Sequence, residues 1–195
     1  MGNFSLKFDK FWETFIKYNG YVKVLEGLKN TLTIAVLGLI IGIVIGTLIA
    51  TARVIPQYKV LPRILNKICS FYVALFRGTP IVVQLLVFYY VLLPLMGSRM
   101  TGIQVAVMVF GLNSAAYISE IMRGGIMSVD SGQMEAGRAV GLSFGTTMLK
   151  IVIPQAVKNI LPTMGNELIA LIKDTSVVSF VGATDLYVAF SFIGS

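Results

Sequence analysis

The stretch Glu135-Ala136-Gly137-Arg138-Ala139-Val140-Gly141, followed after nine residues by Ile151-Val152-Ile153-Pro154, decides how this chain is read. Glu135 to Val140 is favourable helix sequence. Gly141 can adopt the left-handed conformation that stops a helix, and Pro154 marks the start or the bend of the next one. The stretch therefore reads as a helix-turn-helix knob. It lies inside the long polar interruption Arg123 to Lys158 of a chain that is otherwise strongly apolar.

That apolar character sets the class. Of 195 residues, 56% are hydrophobic and only 13% charged, whereas soluble domains carry about 25% charged residues. Asn30 to Ala52, Gly78 to Ser98 and Met100 to Ser119 contain no charged residue, and each run is about long enough to cross a hydrocarbon layer of roughly 30 Å as a helix. A fourth span, Pro162 to Phe180, is apolar except for Glu167, Lys173 and Asp174. The start does not read as a cleavable signal peptide, because Lys7, Asp9, Lys10 and Glu13 interrupt any apolar core there.

The same composition excludes several chemistries. The chain has no His and one Cys, Cys69, so it lacks the clusters that a zinc or haem site needs and can form no disulfide within itself. Neither the phosphate-wrapping pattern G-x-x-x-x-G-K-[ST] nor G-x-G-x-x-G occurs. Nucleotide hydrolysis, where needed, is therefore expected from another chain. The net charge of +7 does not point to nucleic acid, because the bases sit in short connections between apolar spans.

Along the chain, residues 1–29 read as an N-terminal amphipathic segment and residues 30–195 as a transmembrane domain. Phe8, Phe11, Trp12 and Phe15 recur at helical spacing, which fits a helix lying in the headgroup layer and fits an ordinary packed amphipathic helix as well. Gly38, Gly42 and Gly46, four apart, make a smooth face for another helix, within the chain or in a second copy. Arg53 to Lys67 is a basic connection with breakers at Pro56 and Pro62. Arg77-Gly78-Thr79-Pro80 sits partway into the second span, where a proline frees carbonyls and bends the helix.

The third span, about Gly102 to Met122, places Asn113, Tyr117 and Glu120 at i, i+4 and i+7 on one face. Glu120 needs a location near the interface or a partner such as Arg123 or a base on another helix, since an unpaired carboxylate in mid-bilayer costs at least about 2.5 kcal/mol. Together with Glu167 and Asp174 of the fourth span, these residues are candidates either for structural pairing between helices or for contact with a substrate in a polar pathway. Asn113 and Tyr117 can supply both kinds of hydrogen bond. Three carboxylates against Lys173 would favour a cationic group on any such substrate.

The knob resembles the ATPase-docking loop of bacterial ABC importers. Its signature reads Glu-Ala-Ala, three residues, Gly, nine residues, Ile-x-Leu-Pro, and here Gly137 replaces the second Ala and Ile153 the Leu. Arg77 to Pro80 with Val83-Gln84-Leu85, Asn113 to Pro154, and Gly165 to Ser176 resemble the permease subunits of the polar amino acid family. The resemblance implies an all-α membrane protein with the type I ABC importer permease bundle, about four transmembrane helices here and a fifth expected beyond the C-terminus. It implies a cytoplasmic docking loop at about 123–158 that carries a coupling helix, with Glu135, Ala136, Gly137, Gly141 and Pro154 in ATPase coupling.

The implied partners are two ATPase subunits that bind ATP and Mg, a second permease subunit, the same or homologous, and an extracytoplasmic binding protein that delivers the amino acid. The implied location is the bacterial inner membrane, the implied mechanism alternating access, and the chain itself is expected not to be an enzyme. Basic residues alone barely orient it, with eight inside against Arg99 and five N-terminal lysines outside. The docking loop decides the orientation. An ion-coupled transporter or channel using Glu120, Glu167 and Asp174 is the alternative, and it leaves the knob unexplained. A membrane scaffold with no transport role is a third reading.

Overall fold

A computed structural model of the chain describes residues 2–17 and 19–194. Its helices are α1 (Gly2–Ile16), α2 (Gly20–Val54), α3 (Val60–Gly78), α4 (Ile81–Val87), α5 (Leu93–Leu95), α6 (Gly102–Met127), α7 (Ser131–Ala139), α8 (Phe144–Thr147), α9 (Ile153–Asp174) and α10 (Leu186–Gly194). Wide π-helical turns at Phe88–Leu92 and Met148–Val152 join α4 to α5 and α8 to α9. A 3-10 stretch, Thr175–Val181, continues α9.

Both wide turns sit just before a proline. Pro94 and Pro154 have no N–H to donate, and their rings press on the carbonyl four residues back, Tyr90 and Lys150. Each of those carbonyls lies inside a π turn, where Phe88 O accepts from Leu93 N and Met148 O from Ile153 N. The extra residue in the turn relieves the crowding without ending the helix.

α2 and α6 are each long and apolar enough to cross a membrane. The bent pairs Val60–Gly78 with Ile81–Leu95, at 104°, and Phe144–Val181 with Leu186–Ile193, at 66°, bring the number of spans to four when each pair counts as one. α2 is apolar on every side. Leu32, Val36, Ile40, Val44 and Leu48 form an exposed row along one side of it, the surface a helix shows to lipid.

Its glycine stripe is spent inside the chain. A Cβ at Gly38 would stand 3.3 Å from Phe110 Cβ, one at Gly42 2.8 Å from Ser114 Oγ, and one at Gly46 2.9 Å from the Ala115 carbonyl oxygen. All three glycines therefore let α6 approach at backbone distance. Ile34, Leu85, Val105, Val109, Phe110 and Val178 close the core around this contact.

α2 begins inside the N-terminal segment, ahead of the charge-free run. Lys23, Glu26 and Lys29 lower the local hydropathy but do not break a helix, and α2 runs through them from Gly20. The break lies at Asn19, in the left-handed region at φ 55°, a conformation that Asn tolerates. Residues 20–31 then serve as the seat of α10. Asn30 Nδ2 donates to Thr184 O at 2.8 Å, Leu186 N donates to Thr31 Oγ1 at 3.2 Å, and Lys23 Nζ lies 3.2 Å from the centre of the Phe192 ring. In α1 the rings of Phe8 and Trp12, and of Phe11 and Phe15, stack along the helix at 6.4 and 5.9 Å.

Candidate functional site

The site is built on the break between α3 and α4. Pro80 lacks an N–H, so the Phe76 carbonyl loses its helical partner. Two side chains replace it. Gln84 Nε2 donates to Phe76 O at 2.8 Å and reaches Thr79 O and Thr79 Oγ1 at 3.0 and 2.8 Å. Asn113 Nδ2, from α6, donates to Phe76 O at 3.3 Å and to Gln84 Oε1 at 3.1 Å. The backbone groups freed by a bend of 104° are thus satisfied in a region where water cannot do it. Tyr72 ties α3 to α6 a turn earlier, donating to Leu112 O at 2.6 Å.

Below this break lies a cavity of about 470 Å³, walled by Arg77 and Pro80 from the break, Asn113 and Tyr117 from α6, and Glu167 and Asp174 from α9. Four of the five pathway residues expected from sequence therefore meet in one place. Glu167 is positioned by Ser114, whose hydroxyl donates to Glu167 Oε1 at 2.9 Å. Ser114 is itself fully buried against Gly42 of α2. The absence of a side chain at Gly42 is what lets Ser114 reach across.

Asn113 differs from its expected role. Both hydrogens of its amide are committed to Phe76 and Gln84, so it offers the cavity an acceptor and not a donor. Glu120 lies one turn further along α6 and does not line the cavity. Its carboxylate ties three helices together. Oε1 is ion-paired with Arg53 of α2, Oε2 accepts from Arg123 Nε and Nη2 at 3.1 and 2.7 Å, and Arg77 of α3 stands 3.9 Å away. Both kinds of partner anticipated for it, Arg123 and a base on another helix, are present.

Arg77, Gln84 and Ser114 were not singled out as site residues by sequence reasoning. Arg77 was legible only as part of a kink motif, because its place in the cavity follows from the bend angle. The Arg77 guanidinium stands 5.3 Å from the Tyr117 ring centre, within cation–π range.

The second feature is the knob. Asp130 caps α7, its carboxylate accepting from Gly132 N at 2.6 Å. At the other end Gly141 has φ 86°. Leu142 N donates to Gly137 O and Gly141 N to Arg138 O, both at 3.0 Å. This pair of bonds is the Schellman closure, which takes up the last carbonyls of a helix when a left-handed residue follows it.

Ser143 then caps α8, accepting from Thr146 N at 3.2 Å. Glu135 and Ala136 are exposed, as is Pro154 at the start of α9. Gly137 alone of the expected coupling residues is buried, and a Cβ there would run into the Thr147 side chain, with Oγ1 at 2.9 Å. With Thr147 in that place, glycine fits at 137 and the alanine of the signature would crowd it. Gln155 Nε2 donates to Gln133 Oε1 at 3.3 Å and Asn159 Nδ2 to Ser128 Oγ at 2.8 Å, which binds the knob and the end of α6 to α9.

A helical membrane bundle that encloses a charged cavity and carries such a knob on its polar side defines a transport subunit. The chain belongs to the family described as binding-protein-dependent transport system inner membrane component, which matches residues 38–192. It is accordingly the permease subunit of a bacterial ABC importer, resident in the inner membrane, and not an enzyme.

The arginine transport system permease protein ArtQ of Bacillus subtilis is 41% identical to it over 163 residues, 84% of this chain and 72% of ArtQ. The putative glutamine transport system permease protein GlnP of Rickettsia bellii is 39% identical over 176 residues, 90% of this chain and 78% of that protein. The crystal structure of an amino acid ABC transporter with histidines superposes with a TM-score of 0.80 at 33% identity, covering 92% of this chain and 87% of that one.

Proposed function

We propose that this permease moves amino acids with a basic side chain by alternating access, driven by ATPase subunits that grip the α7 knob. The observation that carries the cargo assignment is the charge set of the cavity, two carboxylates, Glu167 and Asp174, with one guanidinium, Arg77. A basic amino acid brings the complement, two cations and one carboxylate. Glutamine would leave one cavity carboxylate without a partner, and an unpaired charge away from water is costly. The relatives named for arginine and glutamine transport, and the transporter structure with histidines, support amino acid cargo in general.

The exposed face of α7 is the natural contact for an ATPase. Glu135 and Ala136 are on the surface while the helix is anchored from beneath by Gly137 on Thr147. The working assembly comprises two permease subunits, the same or homologous, two ATPase subunits that hold ATP and Mg, and an extracytoplasmic binding protein. Nucleotide binding biases the permease only as far as the ATPase pair prefers one permease state over the other.

The test is uptake into liposomes containing the reconstituted complex, with saturating binding protein, for arginine and glutamine. ATP inside should be required, and a proton gradient alone should drive nothing. Glu167→Gln and Asp174→Asn should each lower the arginine to glutamine ratio by roughly tenfold, the scale of one hydrogen bond to a charged group. An unchanged ratio in both variants refutes basic cargo, and gradient-driven uptake without ATP refutes ATPase coupling.

A further inference from the structure

We propose that Arg77 reads the α-carboxylate of the cargo and that Glu120 competes for the same guanidinium, so that cargo arrival loosens the tie between the α3–α4 break and α6. The inference rests on the basic amino acid reading of the cavity and adds a role for Arg77, the one cation among the described residues that line it.

The geometry divides the three arginines around Glu120 into two that are committed and one that is shared. Oε1 is taken by Arg53 and Oε2 by two donors of Arg123. Arg77 stands at 3.9 Å, too far for a hydrogen bond. It is also the most exposed of the three, with 44% of its side chain accessible against 14% for Arg53 and 34% for Arg123. On its other side it lies over the Tyr117 ring and lines the cavity. A carboxylate in the cavity can offer Arg77 two parallel N–H···O bonds, whereas Glu120 offers only the outer edge of an ion pair.

Arg77 is well placed to move. It occupies the last turn of α3, directly before the bend at Gly78 to Pro80, and its side chain is well exposed. Drawing Arg77 toward the cavity would weaken the charge link that holds the end of α3 against α6, while Arg53 and Arg123 continue to neutralise Glu120. Tyr117 has the ring face to steady the guanidinium in either position.

The test is equilibrium binding of arginine and of agmatine, which lacks only the carboxylate, to the complete complex in nanodiscs with its ATPase subunits. Wild type should bind arginine more tightly by roughly tenfold or more, the scale of a charge-assisted pair. Arg77→Gln should bring the ratio close to one by weakening arginine alone. Glu120→Asp keeps a carboxylate for Arg53 and Arg123 but draws it back from Arg77, so arginine should bind several-fold tighter with agmatine unchanged. Glu120→Gln, where it assembles, should act in the same direction.

A wild-type ratio in Arg77→Gln overturns the carboxylate assignment. Parallel changes for both ligands in the Glu120 variants overturn the competition and leave Glu120 a structural tie. Wild-type complex that binds neither ligand overturns the cavity reading, and the inference falls with it.

Discussion

Replacing Gly141 isolates the conformational demand of the knob, because nothing else at that position changes. Gly141 has φ 86°, and a Cβ there would meet no atom within 4 Å. The cost of a side chain is therefore purely that of holding an L-residue in the left-handed region, roughly 1–2 kcal/mol for alanine. Asparagine should cost less and the β-branched valine more. One to two kcal/mol is about a 5–30-fold change in an equilibrium.

Here the equilibrium is between the closed hairpin, with Leu142 N on Gly137 O, and forms in which α7 no longer presents the face proposed to meet an ATPase. ATP-driven uptake in proteoliposomes should fall in the order Gly, Asn, Ala, Val, while the amount of permease inserted in membranes stays constant. ATPase activity stimulated by cargo-loaded binding protein should fall with it. Full uptake and full stimulation in Gly141→Val would refute the reasoning, as would an Asn variant worse than Val.

Three further outcomes follow from named contacts. Gly137→Ala should destabilise the knob by about 1–3 kcal/mol through overpacking on Thr147, and adding Thr147→Ser should restore much of the loss in a thermal unfolding assay. Gln84→Ala strips the broken span of the side chain that satisfies Phe76 O and Thr79 O, so it should cost about 1–3 kcal/mol of stability; a variant as stable as wild type shows that the break is satisfied otherwise. With Cys69 replaced by Ser, a disulfide between Ser128→Cys and Asn159→Cys should leave uptake equal to that of its own reduced form, because α6 leads through the knob into α9 and the two move as one body. One between Gln84→Cys and Asn113→Cys should lower uptake below that of its own reduced form, since it ties the break to α6; the reverse pattern would relocate the moving boundary.

The parts of this architecture that were legible in sequence are those whose causes are local. α7, its stop at Gly141 and the restart before Pro154 could be read because capping, left-handed glycine and proline act within a few residues. α2 and α6 could be read because their runs carry no charge. What escaped depends on partners remote in sequence. Hydropathy does not show where the helix of the first span starts, because it penalises Lys23, Glu26 and Lys29, whereas helix continuity depends on backbone conformation and breaks at Asn19. The contact of Gly137 with Thr147 could not be read from sequence, because Thr147 lies beyond the turn that closes α7. Asn113 looked like a cargo ligand because its residue type can donate, and only the bend at Pro80 shows where its hydrogens go.

The same reasoning makes α6 the frame on which the other elements are hung. It meets α2 through Gly42 and Ser114, α3 through Tyr72 and Asn113, and α9 through Ser114 and Glu167. It also leads through a three-residue link directly into α7. Force applied at the knob therefore reaches α6 along the chain and α9 through Gln133–Gln155 and Ser128–Asn159. The break at Thr79 and Pro80 connects to that frame differently, through side-chain hydrogen bonds and through the long contact of Arg77 with Glu120. If the frame moves as one body, the wall built by the break is the one that changes against it, because its links to α6 are side-chain hydrogen bonds and an ion pair and not continuous chain. Arg77 stands on that wall, so under the proposed function binding of cargo and movement of the helices would act on the same side chain.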